Sequence, residues 1–301
     1  MALPGAAAQG LIWGIMAIGV YLTFRVLDIA DLTVDGTMCT GGAVCVMMMI
    51  SGHNVWVSLL AATLAGMLAG LVTGIFHTFM GIPAILAGIL TQLSLYSINL
   101  KLMGKANQAI NADKYPILIS LRRIKNVPIT QNTILIVALF IVVIIAILYW
   151  FFGTELGCSL RATGCNPNMS RAQGINTDFC KVLGLMVSNG LVALSSALLA
   201  QYQGFADVNM GRGAIVIGLA AVIIGEAIFS RIFRNFALRL LSVAFGSILY
   251  YLVLQTVIWM GIDTDLLKML SALVVAVFLA VPYWKGKYFA KPAKRGGKNN
   301  A

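Results

Sequence analysis

The feature that most constrains this chain is the recurrence of apolar runs long enough to cross a bilayer. A spanning helix needs about 20 mostly apolar residues, and the sequence supplies roughly nine such runs, at 8–27, 36–52, 56–79, 82–103, 131–152, 177–202, 212–230, 237–260 and 266–284. Lipid offers no hydrogen-bond partner to a free amide, so each run is read as a helix. Composition points the same way. Of 301 residues, 60% are hydrophobic and 10% charged, with a mean hydropathy of +0.92, whereas soluble domains carry about 25% charged residues. The expected fold is an all-α polytopic membrane protein with about nine (8–10) transmembrane helices in residues 1–284, followed by a basic tail at 285–301.

Charge sets an expected orientation. The tail "KGKYFAKPAKRGGKNNA" holds six Lys or Arg and no acid. Beside a last span this marks the cytoplasmic side and favours anionic lipid headgroups, with nucleic acid the rejected alternative. Counting backwards, loops 231–236 and 153–176, with Arg231, Arg234, Arg161 and Arg171, fall inside; loops 203–211 and 261–265, with Asp207, Asp263 and Asp265, fall outside, as does the N-terminus. Segment 104–130 also falls outside although it carries Lys105, Lys114, Arg122, Arg123 and Lys125. Longer loops obey the bias less strictly, and a miscounted span among the first four would also explain it. The first residues lack the charged region and cleavage site of a signal peptide, so the first run is expected to be retained. Cys39, Cys45, Cys158, Cys165 and Cys180 form no CxxC pair and read as buried or cytosolic thiols, neither a disulfide frame nor a metal site. His53 and His77 read as packing residues near helix ends.

Small residues recur every fourth position at Ala62, Gly66, Gly70 and Gly74, and again at Asn189, Ala193 and Ala197, continuing to Gln201. That spacing puts each set on one helix face and allows close backbone approach. A translocation path needs polar atoms too. The sixth run offers them through Ser188, Asn189, Ser195, Ser196 and Gln201.

Three carboxylates, Asp28, Asp31 and Asp35, lie in "DIADLTVDGTMCTGG" between two apolar runs. Acids just before a helix accept hydrogen bonds from its free amides and offset its dipole, which is the preferred reading of Asp31, at the cytosolic end of a span. A broken helix start that lines a path is the other reading, and Asp35 stays open between the two. Glu226 is the one carboxylate of the seventh run. Its place near the run's end favours pairing with Arg231 or Arg234 over contact with a solute.

The segment "LRATGCNPNMSRAQGINTDFCKVLG", 160–184, specifies a short helix. Asn166 is a good N-cap, Pro167 suits the first position, Gly174 suits the stop, and Asn176 or Thr177 can cap the next span. About two turns result, roughly 10 Å long. With Arg171 beside Met169 and Ala172, the helix suits docking into a groove of a cytosolic partner; the plainer alternative is a solvated connector.

No GxxxxGK[ST] occurs, since the Gly-Lys pairs are followed by Ala106, Tyr288 and Asn299. Any ATP hydrolysis therefore belongs to another chain, because the phosphate-cradling loop is missing here. HExxH and GxSxG are absent as well. No catalytic residue, metal ligand or cofactor is assigned.

Residues 164–226, "GCNPNMSRAQGINTDFCKVLGLMVSNGLVALSSALLAQYQGFADVNMGRGAIVIGLAAVIIGE", with "DLTVDGT" near the N-terminus and "GIPAILAGILT" at 81–91, resemble the permease subunit of ABC importers in the branched-chain amino acid and ribose permease family. Within it the chain resembles permeases that accompany a lipoprotein-type binding protein, some of them associated with tryptophan or other aromatic amino acids. The resemblance implies a type II importer-like permease in a bacterial plasma membrane with its C-terminus cytoplasmic. It implies as partners ATP-binding (ABC) subunits, an extracytoplasmic solute-binding protein and a second permease copy or a similar permease. It also implies that the 160–177 loop carries a coupling helix, with Gly164, Asn166, Pro167, Met169, Arg171, Ala172, Gly174 and Asn176 at the ATPase contact. "DLTVDG" matches the family's Asp-Leu-Ser-Val-Gly pattern, with Thr33 for Ser, and departs from it by placing Asp35 where Gly is usual. Candidates for the path are Asp31, Thr33, Asp35, Ser188, Asn189, Gln201 and Glu226. An aromatic amino acid is the favoured solute, with other amino acids, sugars and nucleosides behind it. The alternatives are a secondary transporter coupled to an ion gradient through Asp35 or Glu226, and a scaffold without transport, which leaves the polar sixth run unexplained.

Overall fold

A computed structural model describes residues 2–110, 115, 117–120, 132–229, 235–260, 269, 272, 273, 275–277 and 280. Among them the chain forms α1 (Ala2–Tyr21), which ends in a π-helical turn at Leu22–Val26, then α2 (Thr33–Ile50), α3 (Val55–Thr78), α4 (Ala84–Met103), β1 (Asn107–Ala109) and α5 (Thr133–Gly153). There follow α6 (Glu155–Cys165), α7 (Pro167–Ala172), α8 (Thr177–Gln203), β2 (Phe205–Asp207), α9 (Ala214–Phe229) and α10 (Phe236–Trp259).

Seven of these helices are long and apolar enough to cross a membrane. They correspond to seven of the nine runs expected from sequence. The run at 212–230 yields the 16-residue α9, about 24 Å long and shorter than the roughly 30 Å hydrocarbon layer. Most of the last run, the basic tail 285–301, Arg231, Arg234 and Lys114, Arg122, Arg123 and Lys125 lie outside the described residues.

The longest helix, α8, is the centre of the bundle and packs against α1, α2 and α3, while α1, α9 and α10 form a second packed group. The small-residue faces meet as their spacing predicts. A side-chain carbon at Gly66 would strike Asn189 and Ala193, one at Gly70 the backbone of Leu185, and one at Gly74 Val182. Hydroxyls then fasten the close-packed helices. Ser188 and Ser195 of α8 donate to the carbonyls of Gly19 (2.7 Å) and Ile12 (2.7 Å) in α1, and Ser247 of α10 donates to Gly10 (2.6 Å). In lipid such bonds, with close van der Waals contact, supply the association that the hydrophobic effect does not.

The two ends of the bundle differ. At one end β1 pairs antiparallel with β2, and Tyr202 donates to the Gly5 carbonyl at 3.3 Å. At the other, α6 packs against the π-helical turn, where Gly164 lies against Val26 and Leu27 with no room for a side chain. Segments 104–110 and 203–211 therefore share an end with the N-terminus, opposite 153–176. The same grouping results from counting spans back from the basic tail, although the Lys and Arg of 104–130 run against the charge rule.

Candidate functional site

After the π-helical turn the chain does not turn straight into a new full-length helix. Leu27 packs against Gly184 near the start of α8, Asp28 takes a left-handed φ of 56°, and the chain then climbs until Asp31 reaches Asn189. Asn189 is halfway along the 27-residue α8, so α2 begins deep in the bundle. Its exposed amide end needs an acceptor there. Asp31 Oδ1 accepts from the Thr33 amide at 2.9 Å, and Oδ2 accepts from Asn189 Nδ2 at 2.7 Å.

Asn189 is saturated in turn. Its Nδ2 also donates to the Leu185 carbonyl (3.0 Å), and its Oδ1 accepts from Thr37 (2.7 Å). A parallel hydroxyl chain runs from Thr33 to Thr73 of α3 (2.7 Å) and on to Thr91 of α4 (2.9 Å). All six side chains are buried. Asp31 is thus a cap, as its position before a helix suggests. The expected cytosolic-end location is corrected, because the carboxylate is sealed between α2 and α8.

Asp35 lies one turn into α2 and caps a different helix. Its Oδ2 accepts from the Gly213 amide and its Oδ1 from the Ile215 amide, each at 3.0 Å. These are the free donors at the N-terminus of α9. Gly211, pressed on the Asp35 carbonyl where a Cβ would collide, lets the preceding loop come this close. The N-termini of α2 and α9 therefore converge within the bundle, each closed by an aspartate from outside its own helix. Sequence periodicity left Asp35 undecided because its partners are about 180 residues away.

Beside this junction, between α2, α4 and the loop before α9, is a cavity of 330 Å³ bordered by Asp35, Gln92, Tyr96, Asn99 and Arg212. Asn99 is fully buried. Its Nδ2 donates to Thr40 at 3.0 Å, while its Oδ1 has no hydrogen-bond partner. The cavity lies on the β1–β2 side of the junction, since Gly36 faces Gln92 and Thr40 faces Asn99. Sequence reading missed Gln92, Tyr96 and Asn99. The only signal was that Gln92, Tyr96 and Asn99 follow one another at four and three residues along an apolar helix.

Other expected path residues have different tasks. Ser188 is bound to α1, and Ser196 donates to the Met38 carbonyl. Gln201 donates to Cys45 (3.5 Å) and accepts from the Leu118 amide (3.2 Å). The polar residues of α8 knit helices together and do not line the 330 Å³ cavity. Glu226, whose expected partners lie outside the described residues, meets Arg25 at 2.9 Å.

At the opposite end the short helix follows its capping code. Asn166 Oδ1 accepts from Met169 N (3.1 Å), Pro167 opens α7, and Gly174, at φ 82°, supplies the left-handed residue that stops it. Asn176 caps α8 by accepting from Phe179 N (3.1 Å). Arg171 braces the joint by donating to Thr177 Oγ1 (2.8 Å) and to Asp178 Oδ1 (3.3 Å). Met169 and Ala172 are exposed, so the helix presents apolar surface on a rigid base.

Comparison with known proteins agrees with this arrangement. Residues 3–281 match the family model described as branched-chain amino acid transport system / permease component. The chain is 39% identical over 272 residues to a tyrosine transport system permease protein of Clostridioides difficile (strain R20291), covering 90% of this chain and 88% of the relative. It is 32% identical over 230 residues to the Autoinducer 2 import system permease protein LsrC of Yersinia pestis (strain Pestoides F), covering 73% and 60%. Among solved structures, PsaBC from Streptococcus pneumoniae in complex with Fab matches in fold, with a TM-score of 0.52 at 19% identity over 96% of this chain and 92% of that one.

Proposed function

The chain belongs to the branched-chain amino acid transport system permease family, and from that premise we propose that it is the membrane subunit of an ATP-driven importer whose solute is an aromatic amino acid, tyrosine foremost. An ABC permease is not itself an enzyme. ATP hydrolysis and solute capture are assigned to partner chains: an ATP-binding subunit docked on α7 and an extracytoplasmic binding protein above the β1–β2 end. This makes the α7 end cytoplasmic, in a bacterial plasma membrane, and a second permease copy completes the path on the exposed side of α4.

The observation that carries the reading is the convergence of two interrupted helices beside a mainly apolar cavity that carries a few polar side chains. Interrupted helices at mid-membrane depth place backbone dipoles and polar groups where a solute crosses. At this cavity Arg212 is a cation for a carboxylate and Tyr96 is an aromatic face for the side chain, while Asn99, whose Oδ1 is buried without a hydrogen-bond partner, stands in the wall as an acceptor for an amino group once the helices part. Tyrosine enters from the name of the relative, and these groups support an amino acid of that shape. Gly164, Asn166, Pro167, Met169, Arg171, Ala172, Gly174 and Asn176 form the coupling segment, with Met169 and Ala172 touching the ATPase subunit and the others holding α7 in place.

The test is uptake of labelled tyrosine into proteoliposomes containing the chain, its ATP-binding subunit and its binding protein. Uptake should require ATP. Asn99→Leu, which removes one hydrogen bond from the passing solute, should lower it about fivefold, the effect of roughly 1 kcal/mol. ATP-independent uptake by this chain alone under an ion gradient would overturn the reading in favour of a secondary transporter.

A further inference from the structure

Two cavities at the α7 end are outside the proposed path and share a wall. One, of 460 Å³, is bordered by Tyr21, Arg25, Arg161 and Arg239, with Phe236 at its edge. The other, of 530 Å³, runs from Arg161 and Phe236 to Tyr149 and Trp150 at the end of α5. Arg161 and Phe236 line both, so the two adjoin at this pair as a groove in two parts.

Its electrostatics are one-sided. Three guanidinium groups border it, and the nearby carboxylate of Glu226 is engaged with Arg25 at 2.9 Å. Arg161 is held in place by donating to the Phe152 carbonyl at 3.2 Å and by standing 5.6 Å over the Phe236 ring. Guanidiniums held in place in this way bind phosphate oxygens through paired N–H groups. The other end of the groove is apolar. Trp150 and Tyr149 are 72% and 58% exposed, and Leu139, Val142 and Ile147 farther up α5 are also exposed. Exposed Trp and Tyr at the end of an apolar helix belong at headgroup depth.

From this juxtaposition we infer that the groove between α1, α5, α6 and α10 is a binding site for an anionic phospholipid, with the phosphate on Arg161 and Arg239 and the acyl chains along α5. Interhelical basic pockets at a membrane surface take such headgroups. A soluble protein partner would have to reach past the lipid-facing side of α5, whereas an acyl chain lies there already. The site has a consequence for coupling. Arg161 is on α6, whose end at Cys165 leads directly into the Asn166 cap of α7, so an occupied groove fixes the base from which α7 projects. The inference does not depend on which solute is carried.

The experiment uses the full chain in neutral detergent. Thermal unfolding is followed during titration with phosphatidylglycerol, phosphatidylcholine or inorganic phosphate. Phosphatidylglycerol should raise the midpoint, and the other two should not. Arg161→Gln with Arg239→Gln should weaken apparent lipid affinity about fivefold for each guanidinium lost, whereas Lys101→Gln, a charge removed at the other end, should leave it unchanged. If the double variant folds and keeps the phosphatidylglycerol response, the site is wrong. An equal response to inorganic phosphate would make it a free-anion site and overturn the lipid assignment. Protection of the arginines that appears only on adding the ATP-binding subunit, with no lipid response, would replace lipid by a protein contact. If the double variant does not fold, Arg161→Lys is used, which keeps the charge and loses the paired geometry; affinity must still fall.

Discussion

Asn189 satisfies three elements at once: the Asp31 carboxylate, the Thr37 hydroxyl and the Leu185 carbonyl. Replacing it by Leu keeps the branching of the side chain and deletes every one of these bonds, leaving Asp31 with Thr33 as its remaining partner. Removing one partner of a buried charged group costs about 3 kcal/mol or more. Asn189→Leu should therefore lower the unfolding midpoint of the purified chain markedly, and Asp31→Asn in the same background should recover part of the loss. Equal midpoints for wild type and Asn189→Leu would remove Asn189 from the centre of the network. The sequence showed the residue types here, an acid before a helix and an amide inside one, but not their pairing. Polar contacts 150 residues apart follow from tertiary packing, which periodicity does not encode.

At the scale of elements, local codes were the most legible. The α7 helix is determined by Asn166, Pro167 and Gly174 and the start of α8 by Asn176, all acting within four residues, and the α3–α8 contact by a four-residue repeat on each partner. Gly174 gives this a test. Its φ of 82° costs a β-branched residue about 1–2 kcal/mol, so Gly174→Val should shift α7 on its base. The variant should insert normally yet lose solute stimulation of ATP hydrolysis, whereas Gly174→Asn, which tolerates the left-handed region, should retain it. Undiminished stimulation in Gly174→Val would argue against α7 as the transmitting element. The α2 start was only half legible: the acids and glycines marked a break, but its depth depends on the climb of residues 27–32. The shortness of α9 was only hinted at, by a run that opens on Arg212 and Gly213, residues that belong to the loop reaching Asp35 and not to the helix.

For the whole molecule, the two ends make opposite claims on the membrane. Cys158 and Cys165 are exposed at the α7 end, and Ser51 is exposed at the far end of α2. In intact cells a membrane-impermeant maleimide should label Ser51→Cys, and should reach Cys158 and Cys165 only after permeabilisation. The reverse pattern would invert the proposed orientation. Between those ends, Asp35 grips the first amides of α9 from a position on α2. One helix runs from this clasp toward the strands, the other toward Arg25. The carboxylate ties the two helices to each other at their N-termini, a direct link between arms that the chain itself joins only through about 160 intervening residues.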